Sequence, residues 1–253
     1  MLASGVACHK TVWAKIISFT LSRFRLLMVA VIVPLGWPCH AYSADSDIVY
    51  SVNFNDYSAG SVMAWLNGKG FAAEQDMKDQ RRIALTGSDK VLTLEAKARS
   101  LGLLVNEVDI TGSSRIRIEW GVEAFPPGAS YEQGVRSDAV MVYVFFGSKK
   151  LSSGSMFIPD SPYFLGLFLC ESDRVSYPYI GRYFKLGGRY VCVDRTSPGK
   201  AIITDFAIGD AFLKIFERDE ILPISGIAIG VDTKSAKGDG SSRAFIKRIE
   251  FLR

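Results

Sequence analysis

Beyond residue 44 this sequence contains no histidine: its only two, His9 and His40, both precede that point. Their absence from the rest of the chain excludes Ser-His-Asp and Cys-His catalysis there, together with every metal site that needs an imidazole. Net charge is missing as well. The formal +4 resides in Lys10, Lys15, Arg23 and Arg25, no acid precedes Asp45, and the remainder holds equal numbers of basic and acidic side chains. Binding to nucleic acid rests on neutralising phosphates, so a neutral body argues against a nucleic-acid partner. Internal repeats, low-complexity tracts and long charge runs are also absent, and no cofactor is implied.

No apolar run in the N-terminal part is long enough to span a membrane. Leu26–Gly36 (LLMVAVIVPLG) covers about a dozen residues, against the ~20 that a bilayer core of roughly 30 Å demands. It follows Arg23 and Arg25, is broken by Pro34, and gives way to small residues after Pro38, the pattern of a secretory signal peptide. Residues 1–44 are therefore expected to be a signal cut after Ala41, Ser43 or Ala44, the alternative being an uncleaved anchor. Cleavage leaves a single domain, 45–253, in the periplasm or the medium with no membrane span.

Cysteine is scarce too. Cys8 and Cys39 leave with the signal, so Cys170 and Cys192 remain as an even pair in an oxidising compartment. Each lies in an apolar run, FLGLFLC and RYVCV, that reads as a strand. The pair reads as a disulfide between neighbouring strands, the alternative being two buried thiols packed as small hydrophobes.

What is present is period-two alternation. In SRIRIEWGVEAF, Ile116, Ile118, Trp120, Val122 and Ala124 face one way and Arg117, Glu119 and Glu123 the other. Ile48, Tyr50, Val52 and Phe54 begin a similar pattern, and Leu92, Leu94 and Ala96 continue it. AVMVYVFFG, from Ala139 to Gly147, is apolar throughout and reads as a central strand covered on both faces. YFLGLFLC, RYVCVD, ISGIAIGVD and AFIKRIEFL add four more strands, punctuated by Gly, Pro and Ser. One segment differs: Ile208, Phe212, Ile215 and Phe216 recur at helical spacing and predict an amphipathic helix near 208–217. The expected architecture is all-β, a two-sheet antiparallel sandwich of jelly-roll type with that one helix.

Three stretches carry a resemblance to the bacterial family known as domain of unknown function 3047. They are RIRIEWGVEAFPPGA, then SDAVMVYVFFG with an Asp opening a long apolar strand, then the helix and strand that end in Asp232-Thr233 before AFIKRIEFL. The resemblance spans residues 47–253 and implies an exported protein, without a sharp catalytic signature. The family usually has a second acid just after the Asp-Thr, where this chain has Lys234.

Candidate chemistry is sparse. Asp138 and Asp232 fall at strand ends, where a carboxylate can hold a cation, orient a sugar hydroxyl or cap the next loop. Asp232 and Asp239 resemble half of a Ca²⁺ loop, although a hard cation wants six or more oxygens. Glu119 and Glu123 share a strand face but lie roughly 13 Å apart, too far for a glycosidase pair, and read as a solvated charge ladder with Arg117. RVSYPYIGRYFKLGGRY is richer: Tyr177, Tyr179, Arg182 and Tyr183 set flat rings beside fork-like donors, which suits a saccharide. Tyrosines covering an edge strand would give the same pattern, and Trp65 has the same two readings. The sequence thus points to an exported non-catalytic module with a glycan or an envelope protein as partner. The alternatives are a histidine-free lyase or hydrolase, or a structural interaction module.

Overall fold

The computed structural model describes residues 47–88 and 90–253, so the expected signal peptide lies outside the described residues. Among the described residues, thirteen strands form two sheets. The first six are β1 (Ile48–Asn53), β2 (Ala72–Gln75), β3 (Ile83–Ser88), β4 (Val91–Ala96), β5 (Leu101–Ile110) and β6 (Arg115–Ala124). There follow β7 (Asp138–Leu151), β8 (Ser161–Cys170), β9 (Pro178–Tyr179), β10 (Gly188–Arg195), β11 (Lys200–Phe206), β12 (Ile224–Asp232) and β13 (Ser242–Leu252). Two helices accompany them, α1 (Val62–Gly68) and α2 (Ile208–Phe216). The six-stranded sheet runs β11-β6-β13-β4-β3, with β1 also paired to β13; the seven-stranded sheet runs β2-β5-β12-β7-β8-β10-β9. The molecule is the β-sandwich that the alternation predicts.

The alternation places the core. Ile116, Ile118, Trp120 and Val122 of β6 all point inward, as do Ala244, Ile246, Ile249 and Phe251 of β13. They meet Val140, Val142, Val144 and Phe146 of β7 and Ile227, Ile229 and Val231 of β12. Each large side chain removed from water in this way contributes about 1.5–3 kcal/mol. Trp120, fully buried, gives its indole N–H to Thr204 Oγ1 at 3.0 Å. Of the expected β6 set only Ala124 departs, lying exposed at the last position of the strand opposite Arg243.

Helix α2 forms where its periodicity predicts, burying Ile208 and Phe212. Phe212 stacks on Phe146 at 4.4 Å, so the helix closes one end of the sandwich. Helix α1 is an addition to the single expected helix. It has seven residues and one buried side chain, Leu66, too little to give a helical period; Ser61 Oγ caps it by accepting the Ala64 N–H. Trp65 on this helix packs against Phe54 and Tyr57 at 5.7 and 5.8 Å.

One pairing departs from the antiparallel rule. Strands β8 and β10 run parallel, Phe164 opposite Gly188 through Leu167 opposite Val191. A parallel neighbour requires a long crossover, and residues 171–187 supply it, laying β9 antiparallel along the outer edge of β10. Cys170 and Cys192 on these neighbouring strands form a disulfide with Cα atoms 5.8 Å apart. No helix among the described residues is long and apolar enough to cross a membrane.

Candidate functional site

The expectation that β7 is covered on both faces holds along its first half, where Met141 on the outer side is buried beneath Tyr131 and Phe168, and fails beyond it. Its inward residues are buried, whereas Tyr143 and Phe145 on the outer side are only half-buried. The same side of the sheet carries Leu103 and Val105 from β5, Gly226, Ala228 and Gly230 from β12, Phe164 and Gly166 from β8, and Tyr190 from β10. Each alternates with a residue of the common core. Small residues are needed here because rings lie across the strands. A Cβ on Gly230 would fall 2.8 Å from the Tyr143 ring, and one on Gly166 would fall 2.5 Å from Met141 Sδ and 3.3 Å from Tyr143. Tyr143 in turn contacts Phe164 and Tyr190 edge-on at 5.7 and 6.4 Å.

One end of this aromatic face is acidic. Asp138 opens β7 opposite Asp232, the last residue of β12. Asp138 is 3% exposed; its Oδ2 accepts the Tyr131 hydroxyl at 2.7 Å, while Oδ1 is buried with no hydrogen-bond partner. Burial above all, and then the carboxylates of Asp232 and Asp173, push this carboxyl well above the usual range, against the pull of the Tyr131 hydroxyl. Burial also raises Asp232, whose Oδ1 accepts the Lys234 N–H at 3.0 Å. Burial raises both the Tyr143 and Tyr190 phenols; Tyr190 and then the two carboxylates add to this at Tyr143, while at Tyr190 the carboxylates add and the Arg136 guanidinium pulls the other way. A buried oxygen without a protein partner costs about 1–3 kcal/mol, and Ser137 Oγ and Ser242 Oγ share that state with Asp138 Oδ1.

Tyr131 is held over this acid from two directions. Its ring stacks on Phe168 at 4.6 Å and leans on Tyr179 and Tyr190 at 5.5 and 5.6 Å. Its backbone N–H bonds Asp173 Oδ2 at 2.9 Å, and Asp173 Oδ1 accepts the Ser130 hydroxyl at 2.7 Å. Arg195 fixes the Asp173 turn in its turn, donating to the carbonyls of Ser172 and Asp173.

The aromatic segment singled out in the sequence forms the border beyond β10. Tyr179 is buried and faces Tyr131; its hydroxyl donates to Glu132 at 2.9 Å and accepts the Arg174 N–H at 2.9 Å. Tyr177, 42% exposed, meets Tyr179 edge-on at 4.9 Å and carries the Arg174 guanidinium 3.9 Å above its ring. Arg174 also bonds Glu132 at 2.6 Å and holds it below the usual carboxylate range. Arg182 lies apart from that group, exposed, 5.4 Å over the half-buried Tyr183. Gly181 and Phe184, on either side of that pair, contact Tyr190 and Phe164.

Other candidates resolve differently. Asp239 Oδ1 accepts the Ser241 N–H at 2.9 Å, so both it and Asp232 cap turns. Among the described residues no three acids or cysteines gather as metal ligands. Glu119 and Glu123 do belong to a charge ladder, but Arg117 is not their partner. Glu119 pairs with Lys247 at 3.0 Å and Glu123 with Arg243, whereas Arg117 turns to Asp205 at 3.0 Å; the partners come from the neighbouring strands β13 and β11. An open depression of about 360 Å³ beside α1, lined by Tyr57, Ser61, Met63, Gln80 and Thr86, holds no charged side chain. Sequence reasoning missed Tyr131 and Asp173. They meet across 42 residues of chain, and nothing local to either signals it.

No family model matches the chain, and no curated protein does. Among solved structures, it is similar to the xyloglucanase domain of a type three effector from Sinorhizobium fredii, in complex with cellobiose. Identity is 11% over 72% of this chain and 94% of that one, with a TM-score of 0.42. It is also similar to a family 29 carbohydrate-binding module complexed with cellulohexaose, 13% identical over 80% of this chain and 90% of that one, TM-score 0.32. A third is the family 11 xylanase from Neocallimastix patriciarum, 12% identical over 79% and 99%, TM-score 0.35.

Proposed function

We propose that the protein is an exported, non-catalytic module that binds a glycan on the outer face of its seven-stranded sheet. The observation that carries this reading is the chemistry of that face. Half-buried rings and small residues span its middle, a carboxyl pair and a tyrosine hydroxyl close one end, and Tyr177, Arg182 and Tyr183 stand along its border. Ring faces suit the C–H side of a pyranose, while carboxyl, phenol and guanidinium groups suit its hydroxyls. Tyr179 serves by bracing Tyr131 and Tyr177. Export is supported by the Cys170–Cys192 bond, since such bonds persist in oxidising compartments.

Asp138 favours a second reading, a glycoside hydrolase. A carboxyl whose hold on its proton is strengthened by burial suits a general acid, and Asp232 stands beside it as the second acid. A glycan array followed by reducing-end assay on every bound glycan separates the two. Binding without turnover, weakened about tenfold or more by Tyr177→Ala with Arg182→Ala at unchanged melting, supports the module. New reducing ends that vanish in Asp138→Ala support the hydrolase. Absence of binding to every glycan overturns both.

A further inference from the structure

We infer that the loop joining β7 to β8, residues 152–160, docks the protein onto the surface of an anionic lipid bilayer. At its tip Met156 is 95% exposed and Phe157 92% exposed. Isolated surface apolars are ordinary, but two adjacent large ones almost wholly in water mark an interaction site.

Their exposure is built into the loop. Ser153 is buried, and its hydroxyl donates to the Ile158 carbonyl at 2.6 Å while accepting the Ser155 N–H at 3.2 Å. The Ser153 N–H is held by Asp160 Oδ1 at 3.1 Å, and the Ser153 carbonyl accepts the Phe184 N–H at 2.9 Å. These bonds fix a backbone that points both apolar side chains away from the protein. The neighbouring segment, packed on Leu151 through Gly187, adds Leu186 at 70% exposure.

Charge names the occupant. Lys149, Lys150 and Lys185 flank the tip, all exposed, and none enters an ion pair among the described residues. The only acid of the loop, Asp160, is committed to the Ser153 N–H. Lysine is depleted at protein–protein interfaces but is the usual partner of lipid phosphates, and Met and Phe suit the boundary between headgroups and acyl chains. A few inserted side chains give only a weak, reversible anchor, so the lysines and the anionic lipid are both required. The loop lies at the end of β7 opposite Asp138, 14 residues away and so roughly 40 Å off, which leaves the acidic end of the aromatic face clear of the bilayer.

The test is flotation of the purified protein with vesicles of phosphatidylcholine alone and of phosphatidylcholine with about one third phosphatidylglycerol. The expected result is flotation with the anionic vesicles only. Met156→Ser/Phe157→Ser and Lys149→Glu/Lys150→Glu should each lower it by about tenfold or more with melting unchanged, because all four side chains are exposed. Equal flotation of wild type and the Met156→Ser/Phe157→Ser variant overturns the inference, as does no flotation by wild type. So does self-association in sedimentation that this variant abolishes, since the tip would then be a contact between copies. None of these outcomes depends on glycan binding.

Discussion

On the six-stranded sheet the outward positions carry alternating charge, whereas on the seven-stranded sheet they carry rings, glycines and a pair of acids. Arg115 and Arg117 share Asp205, Lys247 meets Glu119 at 3.0 Å, Arg243 bridges Glu95 and Glu123, and Arg248 reaches Glu250 at 3.1 Å. The exposed pairs among these are worth about 0–1 kcal/mol each, so they keep that side wet without deciding the fold, whereas Glu250 lies buried under Arg248. Across the molecule, Tyr143, Phe145 and Tyr190 leave part of their ring area in water, and Asp138 nearby has one carboxyl oxygen bonded to Tyr131 and the other without a partner. Both sheets feed one core, so stability does not demand the difference. It separates a charged side from an aromatic one.

The comparison can be broken first at the shared core. Ile118→Asp would put an unpaired carboxylate among fully buried side chains, costing several kcal/mol and leaving little folded protein. One residue earlier on the ladder, Arg117→Gln should cost no more than about 1 kcal/mol. Urea denaturation followed by circular dichroism reads both, and similar midpoints for the two variants would mean that the faces of β6 are assigned backwards.

Next comes the cross-link, which belongs to the aromatic side. Cys170→Ser/Cys192→Ser removes a closure of 22 residues and should lower stability by about 3 kcal/mol. Its damage should concentrate in the Asp173 turn and the Tyr131 contact, while the charge ladder is spared. Hydrogen exchange resolved by residue would show this, and uniform loss of protection across both sheets would contradict it.

The smallest effect is the pH dependence of Asp138. Its folded pKa is raised, so below the unfolded value of about 3.9 both states hold the proton and nothing is lost. As pH rises beyond that, the unfolded chain ionises while the folded acid does not, and stability declines until the folded group also gives up its proton. Asp138→Asn keeps an acceptor for Tyr131 but cannot ionise. Its stability should therefore gain on wild type as pH rises above about 4. Parallel melting curves for the two proteins above that pH would show that Asp138 is ionised in the fold.

Local pattern carried much of the fold. The Ile–Arg alternation of β6 and the 3.6-residue period of α2 each state which side meets the core, because burial selects residues one position at a time. The even cysteine pair was legible for a similar reason, since an oxidising compartment leaves few uses for two thiols. Asp138 and Asp232 were each visible at a strand end, yet their adjacency depends on β7 and β12 being neighbours, which no local signal encodes. The hold of Asp173 on Tyr131 and the parallel run of β8 beside β10 have the same origin in topology. Short α1 escaped because one buried residue makes no period.

Strand β13 has a consequence for how the chain assembles. It lies between β6 on one edge and β4 and β1 on the other, so a strand made after residue 241 is the centre of the six-stranded sheet. Ile48 must find Leu252, and until it can, β4 and β6 lack the neighbour they share. Such distant pairings make folding slow, because loop closure is unfavourable before the contacts that offset it have formed. A ribosome-bound or translocating chain should therefore stay open until its last strand emerges, and any variant cut before Ser242 should fail to fold at all.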